Sequence, residues 1–153
     1  ISMLPPNQRK IVSRLFEGES IIVSITNGKE TLRGSGVFKG GVYLDPLPSS
    51  TGEPTLTINA GVYEMIGDAK FVELFGSFGE NRTRWQESQV VQFCRDHWSK
   101  IRTGNYVTFF ELDNNFVVGV LIDDDNKLRA FVRSFSYANV WHAEYRRRLV
   151  VLL

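Results

Sequence analysis

The sequence predicts an α+β fold: a bent or two-part antiparallel sheet with one long packed helix and a short N-terminal helix. Three observations lead there. Val90, Val91, Cys94, His97, Trp98 and Ile101 are spaced as the buried stripe of one helix. Four strand-like segments follow, joined by connectors too short for crossover helices. Ahead of the stripe lie β-branched and alternating runs broken by Asn-Gly and Gly-Gly pairs.

Pro5-Pro6 followed by Asn7–Phe16 predicts the short helix, because proline suits a helix start and Ile11, Val12, Leu15 and Phe16 share one side. Gly18 ends it. Ser20–Thr26 predicts a strand, Asn27-Gly28 a tight hairpin turn, and Thr31–Phe38 the returning strand, bent at Gly34 and Gly36. Gly40-Gly41 turns into Val42–Leu44. Asp45–Pro54, with three prolines, is the one long loop. Thr55–Asn59 and Lys70–Phe75 predict strands, and Gly61–Gly67 between them fits either state.

Thr83-Arg84-Trp85-Gln86 matches a capping box, in which the Thr and Gln side chains each satisfy a free backbone donor. It opens a helix over Thr83–Arg102, with Gly104 as the stop. The stripe places Trp98 and Ile101 in the core. Trp85 falls opposite the stripe, either exposed as a contact or folded back on the preceding loop. Strands are then predicted at Tyr106–Leu112, Phe116–Ile122, Leu128–Tyr137 and Val140–Leu153, running as a meander. Phe116–Ile122 is apolar on both faces and should be central.

The chain has 153 residues, enough for a single domain over residues 3–153. Met3 reads as a native start, with Ile1 and Ser2 as vector-derived residues. A net charge of +1 gives no strong overall attraction to nucleic acid, so any such contact needs a local patch. The lone Cys94 excludes an internal disulfide framework and fits a reducing compartment. No run approaches the roughly 20 apolar residues of a membrane span, and no signal-peptide layout is present. A cytoplasmic protein is expected.

Candidate site residues lie mainly in the last third. In Leu128–Tyr137, the residues Arg129, Phe131, Arg133, Phe135 and Tyr137 share one face. Such a face can stack bases and hold phosphates, or it can pack as core with the arginines at its margin. Arg146-Arg147-Arg148 is the densest positive cluster. In a continuous strand, His142, Glu144, Arg146 and Arg148 line one face, as an anion site or a charged, protected edge. On the helix, Arg84, Arg95 and Arg102 fall within about 20° of one another, as phosphate donors or as a solvated flank. His142 with Glu144 forms an acid/base pair only if a pocket surrounds them. Cys94 and His97 sit one turn apart on the apolar stripe, a poor setting for a nucleophile. Asp123–Asn126 lacks the spacing of a calcium loop. No catalytic residue, cofactor or metal is therefore expected.

The leading expectation is a non-catalytic module that binds a small ligand or protein partner through a concave sheet–helix surface. Nucleic-acid binding through Arg129, Arg133, Arg146, Arg147 and Arg148 is the alternative. A small hydrolase or transferase with a site near His142 is the second. The apolar tail Leu149–Leu153 needs cover on both faces, from the domain's own helix or from another subunit, and a homodimer is expected.

Overall fold

The computed structural model describes residues 10–43, 51–104 and 106–153. Its elements in chain order are β1 (Val12–Leu15), β2 (Ile21–Val23), β3 (Val42–Tyr43), β4 (Ile58–Met65), α1 (Phe71–Gly76), α2 (Glu87–His97), β5 (Thr108–Glu111), β6 (Phe116–Ile122), β7 (Leu128–Ser134) and β8 (Arg148–Leu152). One mostly antiparallel sheet has the order β1-β4-β8-β5-β6-β7-β3, with β2 also pairing with β4. The β5–β8 and β3–β7 pairs are parallel. The mixed α and β composition, the sheet and the long helix match the predicted class.

Strand alternation divides the core into two layers. Phe110, Val118, Val120, Ala130, Val132, Val150 and Leu152 face the layer filled by Trp85 and the α2 residues Val90, Val91, Phe93 and Cys94. Phe109, Val117, Leu149 and Val151 face the other, filled by Phe71, Leu74 and Phe75 of α1 and flanked by Trp141. The sheet is thus a middle layer, which explains why β5, β6 and β8 are apolar on both faces.

The β5–β6–β7 meander forms as predicted. Both hairpin turns use residues that tolerate a left-handed backbone, Asn115 at φ 68° and Asn126 at φ 60°. The last strand departs from it. Residues 140–147 are not strand, and β8 pairs with β4 and β5 rather than β7. Two strands therefore separate β7 from β8, so Arg129 and Arg133 do not share a neighbouring strand with Arg146 and Arg148. As an interior strand, β8 has both faces of its apolar tail covered by its own chain. The cover expected for Leu149–Leu152 thus comes from the chain itself, while Leu153 stays exposed.

Four further predictions are corrected. The short N-terminal helix is not found: Val12–Leu15 forms β1 against Leu15's partner Val62 through Met65, while residues 7–9 lie outside the described residues. Lys70–Phe75 is not a strand. Phe71, Leu74 and Phe75 recur at i, i+3 and i+4 and are buried, while Val72 and Glu73 are exposed, which is helical spacing. The Asn27-Gly28 turn does not close a hairpin with residues 31–38, because Thr26 instead bridges to Thr55. The strand predicted at Thr55–Asn59 begins at Ile58 and runs on through the ambiguous segment. Residues 44–50 of the predicted strand end and loop lie outside the described residues.

The long helix is shorter than predicted, and the reason is tertiary. The Trp85 N–H donates to the Glu111 carbonyl at 2.9 Å, and the Asp113 N–H donates to the Trp85 carbonyl at 3.0 Å. That bridge holds the backbone extended until Gln86, whose N–H donates to the Gln89 side chain at 2.9 Å. After His97 the chain tightens into a 3₁₀ turn at Trp98–Lys100, which moves Trp98 out of phase with the stripe. Trp98 is 47% exposed, whereas Trp85 is 1% exposed. The two tryptophans have exchanged the places the helical period gave them.

Candidate functional site

A cavity of about 320 Å³ opens where the carboxyl ends of β5 and β8 meet the chain leaving α1. Phe75 and Phe78 form one apolar wall, and Trp85 with Val150–Leu153 forms another. Asn81, Arg82, Thr83 and Glu111 supply the polar side. Trp85 is pinned there by its indole N–H, which donates to the Val150 carbonyl at 3.0 Å.

Glu111 is the electrostatic centre. It is only 5% exposed and ends a fully buried strand, after Phe109 and Phe110. Arg82 grips it with both prongs, Nε to Oε1 at 2.7 Å and Nη2 to Oε2 at 2.8 Å. The remaining Arg82 nitrogen donates to the Gly79 carbonyl at 2.7 Å, and Arg84 Nε reaches Oε2 at 3.3 Å. A carboxylate buried this deeply needs such paired donors, since an unpaired charge there is costly. The network braces residues 79–84 against β5 and fixes the polar side of the cavity.

None of the predicted site residues lines this cavity. Arg84 comes nearest, through Glu111. The predicted arginine edge of the helix is not formed. Arg84 precedes α2, Arg95 is paired with Glu30 at 2.7 Å, and Arg102 lies beyond the 3₁₀ turn. The Arg95 guanidinium holds the Glu30 carboxyl below its usual value. Asn81, Arg82 and Glu111 are not among the site residues expected from the sequence, where Asn81-Arg82-Thr83 stands out only as a chance glycosylation sequon. The one signal in the sequence was a carboxylate, Glu111, within a strand-like run that alternates it with Phe109 and Val107 on one face.

The Arg129–Tyr137 face is partly core and partly surface. Phe131 and Phe135 pack against the α1 layer while remaining partly exposed. The Phe131 ring lies across Gly119 on β6, where a Cβ would overlap it. Arg133 covers Phe131 at 5.1 Å, and Arg129 lies 5.6 Å from the Tyr43 ring and 3.5 Å from Asp123.

His142, Glu144, Arg146 and Arg148 do not form one strand face. Ala143–Tyr145 is a 3₁₀ turn, and Arg146 follows at φ 48°. His142 is exposed, with Nδ1 3.3 Å from Asp68 Oδ2, while the Ala143 N–H donates to Asp68 Oδ1 at 2.8 Å. The Asp68 carboxyl is held below its usual value, first by the Ala143 N–H and then by His142. Glu144 is exposed, and neither His142 nor Glu144 borders the cavity. Cys94 is fully buried and its thiol is pushed up by desolvation, the opposite of an activated nucleophile.

The irregular segment instead builds a line of stacked side chains. Tyr137 lies 6.2 Å from Trp141, and the Arg147 guanidinium is 4.8 Å from both the Trp141 and Tyr145 rings. Tyr145 lies 6.4 Å from Tyr106, which carries Arg102 at 4.6 Å. Arg102 Nε donates to the Arg146 carbonyl at 3.2 Å.

Comparison with protein-family models, curated proteins and solved structures finds no match. No helix among the described residues is long and apolar enough to cross a membrane, and no described cluster of His, Cys, Asp and Glu could hold a metal ion.

Proposed function

We propose that the protein is a non-catalytic binding module whose cavity beside the Arg82–Glu111 pair takes a small amphipathic ligand. The carrying observation is the cavity, with apolar walls, a few convergent polar groups and a volume of about 320 Å³. That is within the range of small-molecule sites. A ligand with a flat apolar body and hydrogen-bonding groups would suit a lining that combines Phe75, Phe78 and Val151 with Asn81 and Thr83. Binding rather than catalysis is favoured because Arg82 and Glu111 are committed to each other, leaving neither free to move protons.

The test is ligand-observed NMR with a panel of small aromatic amides and carboxylates, using the wild type and Val151→Trp, which fills the cavity. Saturable binding to the wild type that disappears in the filled variant is expected. Equal binding to both, or none at millimolar concentration, overturns the reading. Thermal unfolding of Val151→Trp checks that it folds.

A further inference from the structure

The line Tyr137–Trp141–Arg147–Tyr145–Tyr106–Arg102 lies apart from the cavity and has no role in the reading above. Three of its rings are open to solvent: Tyr106 is 38% exposed, and Tyr137 and Tyr145 are each 42% exposed. Exposed rings set in series, with cations between them, form a platform that stacks flat groups and neutralises anions.

The charge pattern is the second observation. Arg82, Arg84, Arg95 and Arg129 each have a carboxylate partner. Arg102, Arg146, Arg147 and Arg148 make no salt bridge among the described residues, as is also true of Arg14, Arg33 and Arg133, but only these four lie together. Arg147 and Arg148 also hold buried Nε atoms with no hydrogen-bond partner. Burial works against both charges and lowers both guanidinium pKa values. Arg148 has Glu64 nearby as partial compensation, while the Arg102 charge works against it. Arg147 and Arg148 donate only to the carbonyls of His142 and Lys100, at 3.4 and 2.7 Å, and Arg146 is exposed, so no carboxylate bridges any of these cations and an anionic partner would bring the missing counter-charge.

Backbone conformation adds a third. Arg146 adopts φ 48°, uncommon for a bulky residue, in the turn that swings the chain into β8. The Ala143–Tyr145 turn that carries Tyr145 and leads into Arg146 is tied back to Asp68 through the Ala143 N–H. Both are exposed.

We propose that this surface binds single-stranded nucleic acid, with bases stacked on Tyr106, Tyr145 and Tyr137 and phosphates held by Arg102, Arg146 and Arg147. Tyr137 lies 6.2 Å from Trp141 and Tyr106 6.4 Å from Tyr145, each pair tilted rather than stacked, so the solvent-open Tyr rings offer more than one stacking position. A duplex keeps its bases inside and would use only the charges. A net charge of +1 does not oppose this, because the patch is local and its arginines outnumber the carboxylates at its margin, exposed Glu144 and Asp68, the latter engaged by the Ala143 N–H and His142.

The test is fluorescence anisotropy with labelled oligothymidylate, oligoadenylate and a mixed-sequence duplex, at about 50 mM and about 200 mM salt. Single strands should bind more tightly than the duplex and weaken steeply with salt. Tyr145→Ala and Tyr106→Ala should each weaken single-strand binding about fivefold or more, with the salt slope unchanged. Tyr145→Phe, which keeps the ring, should retain binding. Arg102→Glu with Arg146→Glu should lower both affinity and slope. Arg33→Glu with Lys39→Glu makes the same charge change elsewhere and should leave the Tyr145→Ala effect intact. All substituted side chains except Arg102 are exposed, and circular dichroism checks folding. No single-strand binding at the lower salt overturns the proposal. So does equal duplex binding that Tyr145→Ala leaves untouched, which would mean charge attraction alone. A protein partner captured on the same surface without oligonucleotide binding would overturn it too.

Discussion

The sharpest stability prediction sets Trp85 against Trp98, because helical periodicity and the structure assign them opposite fates. Trp85 is 1% exposed and meets Phe110 and Phe93 edge-on, with ring centroids 5.0 and 5.7 Å away. Its indole N–H donates to the Val150 carbonyl inside the same layer. Replacement by alanine removes the ring and leaves a cavity, a loss of about 3–5 kcal/mol. The unsatisfied carbonyl adds about 1–3 kcal/mol. Together these rival the total stability of an ordinary domain, about 5–15 kcal/mol, so Trp85→Ala should be largely unfolded. Trp85→Phe is the quantitative variant. It keeps a ring but loses the donor and part of the volume, and should cost about 2–4 kcal/mol. Trp98→Ala should cost less than about 1 kcal/mol, because the side chain is nearly half exposed and outside both core layers. Urea unfolding followed by far-ultraviolet circular dichroism gives these differences directly, provided the slope is unchanged. A Trp98→Ala variant as unstable as Trp85→Phe, or a stable Trp85→Ala, would refute the helix placement.

Four further outcomes follow from the same geometry. Arg82→Met should destabilise by about 3–5 kcal/mol by leaving Glu111 buried with only Arg84, while Arg82→Met with Glu111→Leu should recover most of that; unfolding curves of the single and double variants decide it. Gly119→Ala should lose about 1–3 kcal/mol because its new methyl group meets the Phe131 ring, and adding Phe131→Leu should relieve part of the loss. Cys94 should be inert to an aromatic disulfide reagent until urea opens the core, and labelling at the native rate of an exposed thiol would contradict its burial. The Asp68 carboxyl should titrate below the usual value of about 3.9 by carbon-detected NMR. Since its folded pKa is depressed, the stabilisation it gives is present above the unfolded pKa and fades as pH falls through the folded one. Asp68→Asn should flatten that part of the stability profile, and an unchanged profile would argue against the Ala143 and His142 contacts.

Local signals determined what local physics can decide. Periodicity near 3.6 located the body of α2, and double-faced apolar runs with short polar turns located the β5–β6–β7 meander. Alternation in β7 correctly divided Ala130 and Val132 from Arg129, Phe131 and Arg133. Shorter elements were less legible. Six residues of α1 hold too few turns to separate a helical period from alternation, and the four-residue β1 is a strand only because β4 offers it a ladder. Trp85 became core because the segment ahead of α2 is bridged to Leu112, a contact between residues distant in sequence. For the same reason Glu111 gains its role only when Arg82, 29 residues away, is brought to it. Insertion of β8 between β4 and β5 is likewise a choice among strand partners, and pairing depends on which edges the rest of the chain leaves open. The residue types at both candidate sites were therefore present in the sequence, but only the sheet order decided which of them meet. The reason is physical: side-chain period is set within a few residues, whereas cavities and stacked surfaces are made by contacts between elements far apart in the chain.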